Sequence, residues 1–281
     1  MVHLYFYAKS EINVFFKDHF LSIQYNYPEN IISLISDLNI IIMKINERNK
    51  NDFFIFYQSL PDLLINVEEY DKRFFIFNTE QLTRPDILQQ ILNLNIKINY
   101  IDYSFSNIQI INNKKNIFYL PYMVNKNEIL NIQKTKDVCF IGAVSPHRIK
   151  IINMLKNNGI NVDIIDGWEK ERDLKLFSYK ILLNIHYILE YRVFEQLRCN
   201  RCIMNKMIVI SEKNTDTYFE MKEHMIETEY ENLVSTVIYV LSNYEMVYQN
   251  LFKNFDIDKI EKNYKLIGDN FMSCLENFVD N

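Results

Sequence analysis

Two stretches in the second half of the chain carry residues whose types and order suit an anionic, hydroxyl-rich ligand. The first runs from Asp137 to Arg148. An apolar stretch ends at Gly142, and Ser145, Pro146 and Arg148 follow. A glycine there lets a ligand come close to the backbone. Ser145 is a natural helix N-cap, and Pro146 fits the first helical position. A helix N-terminus favours an anion, and Arg148 would add a direct charge. The plainer account is an ordinary strand–turn–helix with a solvated arginine. The second stretch is Lys180 to His186, followed by Glu190 to Glu195. A carboxylate such as Glu195 can accept hydrogen bonds from two vicinal hydroxyls. Arg192 lies three residues before it, on the same face of an expected helix, so the two can also simply pair. His186 closes an apolar strand and is a catalytic candidate. A satisfied strand-end histidine is the bland alternative. Between the two stretches stands the only tryptophan, Trp168, placed to stack on a flat ring or to act as a hydrophobic rim.

The elements that must position these residues are short apolar runs alternating with helical stretches. In the first half, strands are expected at 2–7, 40–45, 53–57, 74–77, 96–101 and 117–120. Helices are expected at 29–37, 61–69, 85–93 and 104–112, with Pro61 and Pro85 suited to first turns. In the second half, strands are expected at 137–141, 162–165, 181–185 and 207–210. Helices fall at 146–157, 169–177, 191–199, 216–222, 231–243 and 264–279. Strands that are apolar throughout point to a sheet covered on both faces, and strand–helix alternation points to parallel α/β architecture. A polar stretch after Pro121 interrupts the pattern. The expected organisation is a first domain over 1–122, a linker over 123–136 and a second domain over 137–281.

Composition narrows the function. With 281 residues and a formal net charge of −5, the chain lacks the basic surplus of a nucleic-acid binder. Its four glycines form neither a dinucleotide-binding G-x-G-x-x-G nor a P-loop. Cys199 and Cys202 form a C-x-x-C without a second ligand pair, so buried thiols in a reducing compartment are expected. No run of about 18 apolar residues suggests a membrane span, and residues 1–7 read as a strand rather than a leader. A cytoplasmic location is therefore expected.

Taken in order, Phe140-Ile141-Gly142, Ser145, Arg148, Lys180-Ile181-Leu182-Leu183-Asn184-Ile185-His186, Arg192, Phe194-Glu195 and Ile208 to Glu212 resemble the donor-binding half of GT-B glycosyltransferases, in particular group-1-like bacterial and viral members. The likeness spans 137–212. In the first half, Phe77 to Leu82 and the run from Asp102 to Asn107 match more loosely. The resemblance implies two Rossmann-like domains facing across a cleft, with C-terminal helices packing back. It implies transfer of a sugar from a UDP- or GDP-linked donor to a glycan or glycoconjugate, with no required metal or cofactor. Glu195 would hold the donor ribose. Gly142, Ser145 and Arg148 would hold the diphosphate, with Trp168 and Arg192 beside them. Glu80 and Glu11 are candidate bases, and Gln81, Asp102 and Tyr103 are acceptor-side candidates. Helix caps or packing contacts are the plainer roles for these first-half residues.

Two features depart from the family pattern. The paired glutamates seven residues apart are not reproduced, since position 187 is Tyr187, and residues 199–206 stand where a small-residue turn is usual. A 2-epimerase acting on a sugar nucleotide, a non-catalytic binder of the same fold and an assembly scaffold are the competing accounts. Oligomeric state and peripheral membrane association stay open.

Overall fold

The computed structural model describes residues 1–11, 13–61, 64, 72–93, 98–111, 116–167, 169–215 and 221–280. The chain divides into two compact units, one of Met1–Asn125 with Glu261–Asn281 and one of Lys126–Ile260. The terminal segment thus belongs with the first unit, where the sequence had suggested the second. The first break falls after Asn125, inside the expected linker.

The first unit holds a fully parallel six-stranded sheet in the order β2-β1-β3-β4-β5-β6. Its strands are β1 (His3–Tyr7), β2 (Ile31–Ile35), β3 (Asp52–Tyr57), β4 (Phe74–Asn78), β5 (Asn99–Asp102) and β6 (Ile117–Tyr119). Every residue of β3 and β4 is buried, so both faces of the sheet are covered. The strand period of two sends Phe53, Ile55 and Tyr57 to one face and Phe54 and Phe56 to the other. On the first face they pack with Phe16 and Phe20 of helix α1 (Asn13–Asn26) and with Phe271 and Leu275 of the terminal helix. On the second they meet Ile41 and Ile45 of α2 (Leu38–Asn46) and Ile91 of α3 (Pro85–Asn93). Helix α4 (Phe105–Ile111) follows β5.

One pair of expectations is reversed. Residues 29–37 read as helix but contain β2, and 40–45 read as strand but lie in α2. The buried residues Ile31 and Ile35 are four apart, a spacing that fits one face of a strand and one face of a helix alike. In α2 the local signal is the Asp37 side chain, which accepts a hydrogen bond from the Asn39 amide and caps the helix. The run of isoleucines hides that signal because β-branched residues usually mark strands. Most of the helix expected at 61–69 and most of that at 216–222 lie outside the described residues.

The second unit holds a parallel five-stranded sheet in the order β11-β10-β9-β7-β8. Its strands are β7 (Lys136–Ile141), β8 (Val162–Ile165), β9 (Tyr179–Asn184), β10 (Ile208–Glu212) and β11 (Ile226–Thr228). The helices are α5 (Pro146–Asn157), α6 (Glu169–Leu176), α7 (Gln196–Met204), α8 (Leu233–Ser242) and α9 (Tyr244–Phe252), while α10 (Ile257–Asp280), which follows, lies mostly in the first unit. Counted within the unit, the order is 5-4-3-1-2. This doubly wound arrangement reverses direction between β7 and β9, and ligands in such sheets bind beyond the strand ends at that reversal. Both stretches singled out in the sequence emerge there. Among the described residues, no helix is long and apolar enough to cross a membrane.

Candidate functional site

Beyond β7 the chain turns through Gly142, whose φ of +116° lies in the region that favours glycine. Ser145 then caps α5, its Oγ accepting the Arg148 amide at 3.2 Å. The same hydroxyl donates to the Tyr187 carbonyl at 2.6 Å and so ties the loop after β7 to the loop after β9. Arg148 makes the same tie from the helix. Its Nε donates to the Ile185 carbonyl at 2.8 Å and its Nη1 to the Ala143 carbonyl at 2.6 Å. The guanidinium lies over the Phe140 and Tyr187 rings and is almost wholly buried. Burial, with the positive Arg198 nearby, pushes its pKa down to about 10. Arg148 is therefore a strut between two loops, not the solvated arginine of the plainer sequence account.

Glu195 is the N-cap residue of α7, which begins at Gln196. The helix expected at 191–199 therefore starts later and runs further, and Arg192 does not share a helical face with Glu195. Arg192 lies in the loop, its Nε donating to the Leu189 carbonyl at 2.9 Å. Its own carbonyl accepts the Thr215 amide at 2.9 Å, which fastens the segment after β10. Burial lowers the pKa of both Arg148 and His186, and the charge of Glu195 opposes that shift at each, so the start of α7 and the loops beyond β7 and β9 share one electrostatic neighbourhood.

His186 is 1% exposed. Its Nε2 lies 3.1 Å from the Lys213 carbonyl, so Nε2 carries the proton and Nδ1 a lone pair. That Nδ1 is buried and has no hydrogen-bond partner among the described residues. Burial lowers the pKa of the ring, which therefore stays neutral near pH 7. Such a ring accepts a hydrogen bond well and takes up a proton reluctantly.

Several residues at this sheet end were given no role from the sequence, although Asn184, Ser211 and Glu212 stand within the stretches that carry the resemblance. Glu212, 3% exposed at the end of β10, accepts the His186 amide at 3.0 Å and faces His147 Nε2 at 3.1 Å. Tyr230 stacks on His147 with centroids 4.0 Å apart and donates to its carbonyl. Arg198, on the first turn of α7, donates from Nη1 to Asn184 Oδ1 at 3.0 Å. Asn184 in turn donates to Ser211 Oγ at 3.0 Å. Asn184 and Glu212 end β9 and β10, Tyr230 stands two residues beyond β11, and Arg198 lies on the helix that follows β9. That placement was legible once the order of the sheet was known, but not before. Trp168 lies outside the described residues.

In the first unit, Asp102 is fully buried. Its Oδ2 accepts from Asn78 Nδ2 at 2.7 Å, and its Oδ1 from the Ser104 amide at 2.9 Å and Asn107 Nδ2 at 3.1 Å. Asn78 and Asn107 also donate to the Glu80 carbonyl, and Leu82 donates to Asn107 Oδ1. The network fixes the turns after β4 and β5, so Asp102 acts as a hub of that packing rather than as an open ligand group. Gln81 and Tyr103 are buried beside it. The Glu80 carboxylate is about one-third exposed and pairs with Arg84 at 2.8 Å. Its other oxygen accepts from Gln58, a residue with φ of +65°. Glu11 is exposed in the turn after β1. The cysteines of the C-x-x-C are free and buried on α7, with burial raising both thiol pKa values.

No family model matches the chain. Among curated proteins it is 32% identical to the uncharacterized protein L140 of Acanthamoeba polyphaga mimivirus over 236 residues, covering 77% of this chain and 76% of L140. It is 37% identical to the uncharacterized mimivirus protein L138 over 204 residues, covering 68% of this chain but only 23% of L138. The chain thus spans about a quarter of that relative's length. Among solved structures, HepE of Anabaena in complex with UDP and glucose superposes with a TM-score of 0.60 at 11% identity, covering 97% of this chain and all of HepE. WaaG, a glycosyltransferase involved in lipopolysaccharide biosynthesis, gives 0.57 at 9% identity over 94% of this chain and 99% of WaaG. At such identities the likeness speaks for fold: the chain has the GT-B fold, built from two parallel-sheet α/β units.

Proposed function

We propose that this chain, which belongs to the family of the mimivirus protein L140, is a glycosyltransferase whose second unit binds a nucleotide-diphosphate sugar. One observation carries the reading. At the strand reversal of that unit, a positive-φ glycine, two guanidinium groups and a glutamate at the N-cap position of α7 gather at the ends of β7 and β9. This combination offers cations to a diphosphate and a carboxylate to vicinal ribose hydroxyls. The likeness to HepE with UDP bound favours UDP over GDP as the nucleotide.

In this mechanism the donor lies across the ends of β7 and β9. Glu195 accepts from the ribose hydroxyls. The neutral His186 accepts a donor hydroxyl through Nδ1 and is a positioning group rather than the base. Charge that develops on the leaving diphosphate is met by fixed guanidinium groups, which supports transfer without a metal. The acceptor, a glycan or glycoconjugate, is deprotonated by Glu80 or Glu11 on the first unit's strand-end loops. Whichever glutamine variant, E80Q or E11Q, keeps donor binding and loses transfer identifies the base.

The test is calorimetric titration with UDP-, GDP-, dTDP- and CMP-sugars, followed by sugar transfer to a glycan panel. The wild-type protein is expected to bind a UDP-sugar. Glu195→Ala should weaken that binding by about tenfold to a hundredfold, the range of lost hydrogen bonds to a charged group. Unchanged affinity in Glu195→Ala removes Glu195 from the site, and absence of binding by any of the four donors removes the reading itself.

A further inference from the structure

We infer that Arg198, rather than Arg148, is the cation that grips the donor diphosphate, and that Gly142 is glycine in order to admit it. The inference rests on the donor-binding reading above and deepens it. A Cβ built at position 142 would lie 2.8 Å from Arg198 Nη2, closer than a real side chain allows, and 3.6 Å from Arg148 Nη1. Two positive side chains therefore meet over one bare stretch of backbone at the end of β7. They also share one ring, with Arg148 at 5.3 Å and Arg198 at 6.0 Å from the Phe140 centroid.

The two arginines differ in what they have left to offer. Arg148 is 3% exposed, and its Nε and Nη1 are committed to the Ile185 and Ala143 carbonyls. Arg198 is half-buried, and of its donors only Nη1 has a hydrogen-bond acceptor among the described residues, namely Asn184 Oδ1. That bond orients the fork, because Asn184 is itself buried and held by Ser211. Nε and Nη2 are left to face a ligand with two parallel donors, the geometry that recognises a phosphate in bidentate fashion. The arrangement also stores repulsion, since Arg198 helps to depress the Arg148 pKa. An anion placed between the two guanidinium groups relieves it. Helix α7 then carries both halves of the grip, with the Glu195 cap for the ribose and Arg198 one turn on for the phosphates.

The experiment titrates the full-length protein with UDP, inorganic pyrophosphate and uridine, alongside the variants R198A, R198K and R148A. Thermal unfolding of each variant checks its fold. Arg198→Ala is expected to weaken UDP and pyrophosphate by about tenfold to a hundredfold while leaving uridine and the unfolding midpoint unchanged. Arg198→Lys should recover part of the loss, because a lysine restores the charge without the fork. Arg148→Ala should lower the unfolding midpoint and weaken all three ligands together, as expected of a strut. The inference is overturned if R198A binds UDP and pyrophosphate as the wild type does, or if R148A is stably folded and loses only the phosphate-bearing ligands. Pyrophosphate binding that depends on Arg198, without binding of UDP or any other nucleotide, supports the cation and sinks the nucleotide-sugar reading. Binding of neither UDP nor pyrophosphate by the wild type sinks both.

Discussion

The two units end their sheets in opposite ways. Beyond β4 and β5 of the first unit, polar side chains spend their hydrogen bonds on one another: the buried Asp102 carboxylate accepts from Asn78, Ser104 and Asn107, and those asparagines bind Glu80. Beyond β7 and β9 of the second, the struts Ser145 and Arg148 are likewise satisfied, but Arg198 and the Nδ1 of His186 keep unused capacity. A closed network fixes loops. A network with open valences fixes loops and still has donors and acceptors to give to a ligand. The difference shows that counting polar residues at a strand end does not locate a site. What locates it is which of their hydrogen-bonding groups the fold has left unspent.

Substitutions test this contrast, because loss from a closed network should register in stability and loss from an open one in binding. The largest effect is expected at Asp102. Asp102→Ala leaves three donors without their acceptor and should lower unfolding free energy by about 4 kcal/mol, taking about 1–3 kcal/mol for each unsatisfied group. Urea titration measures it, and a loss under 1 kcal/mol would break the contrast.

Next comes the pH response of His19, 1% exposed and bonded through Nδ1 to Tyr57. Burial lowers its pKa from 6.5 to about 3. The unfolded chain therefore binds more protons than the folded one between those values, and stability falls as the pH drops through that window. Between pH 6.5 and 4.5 the loss from this group is roughly 2 kcal/mol. His19→Asn should flatten the slope by that amount; equal slopes in the two proteins would show that the ring is not sealed from solvent.

Gly142→Ala should cost less, about 1–2 kcal/mol, because the backbone is held at φ +116° while the Arg198 tip can shift. Its larger effect should be on nucleotide affinity, through the displaced arginine, and a variant that keeps full affinity would separate the glycine from the site. The smallest change in stability is expected for Arg198→Ala, under about 1 kcal/mol, since the side-chain hydrogen bond it makes among the described residues is part-buried.

Much of the second unit was legible in the sequence. The strand into Gly142, the Ser145 cap and the helix at 146–157 all carry short-range signals, and α5 spans Pro146–Asn157. The first unit was harder to read where signals compete, as at Ile31 and Ile35, whose spacing suits either element. The start of α7 was misplaced because nothing local distinguishes residues 191–195 from the helix that follows.

The amino-acid sequence determined the alternation of buried strands with helices and the glycine and cap at the head of α5, because these depend on neighbours a few residues apart. Only the tertiary structure decided that the terminal segment Glu261–Asn281 joins the first unit, that Arg148 is a strut, and that Arg198 lies against Gly142. These depend on strand order, which brings together residues 37 or more positions apart in the chain. Composition and periodicity hold no record of such pairings, because they arise only when the whole sheet closes its core.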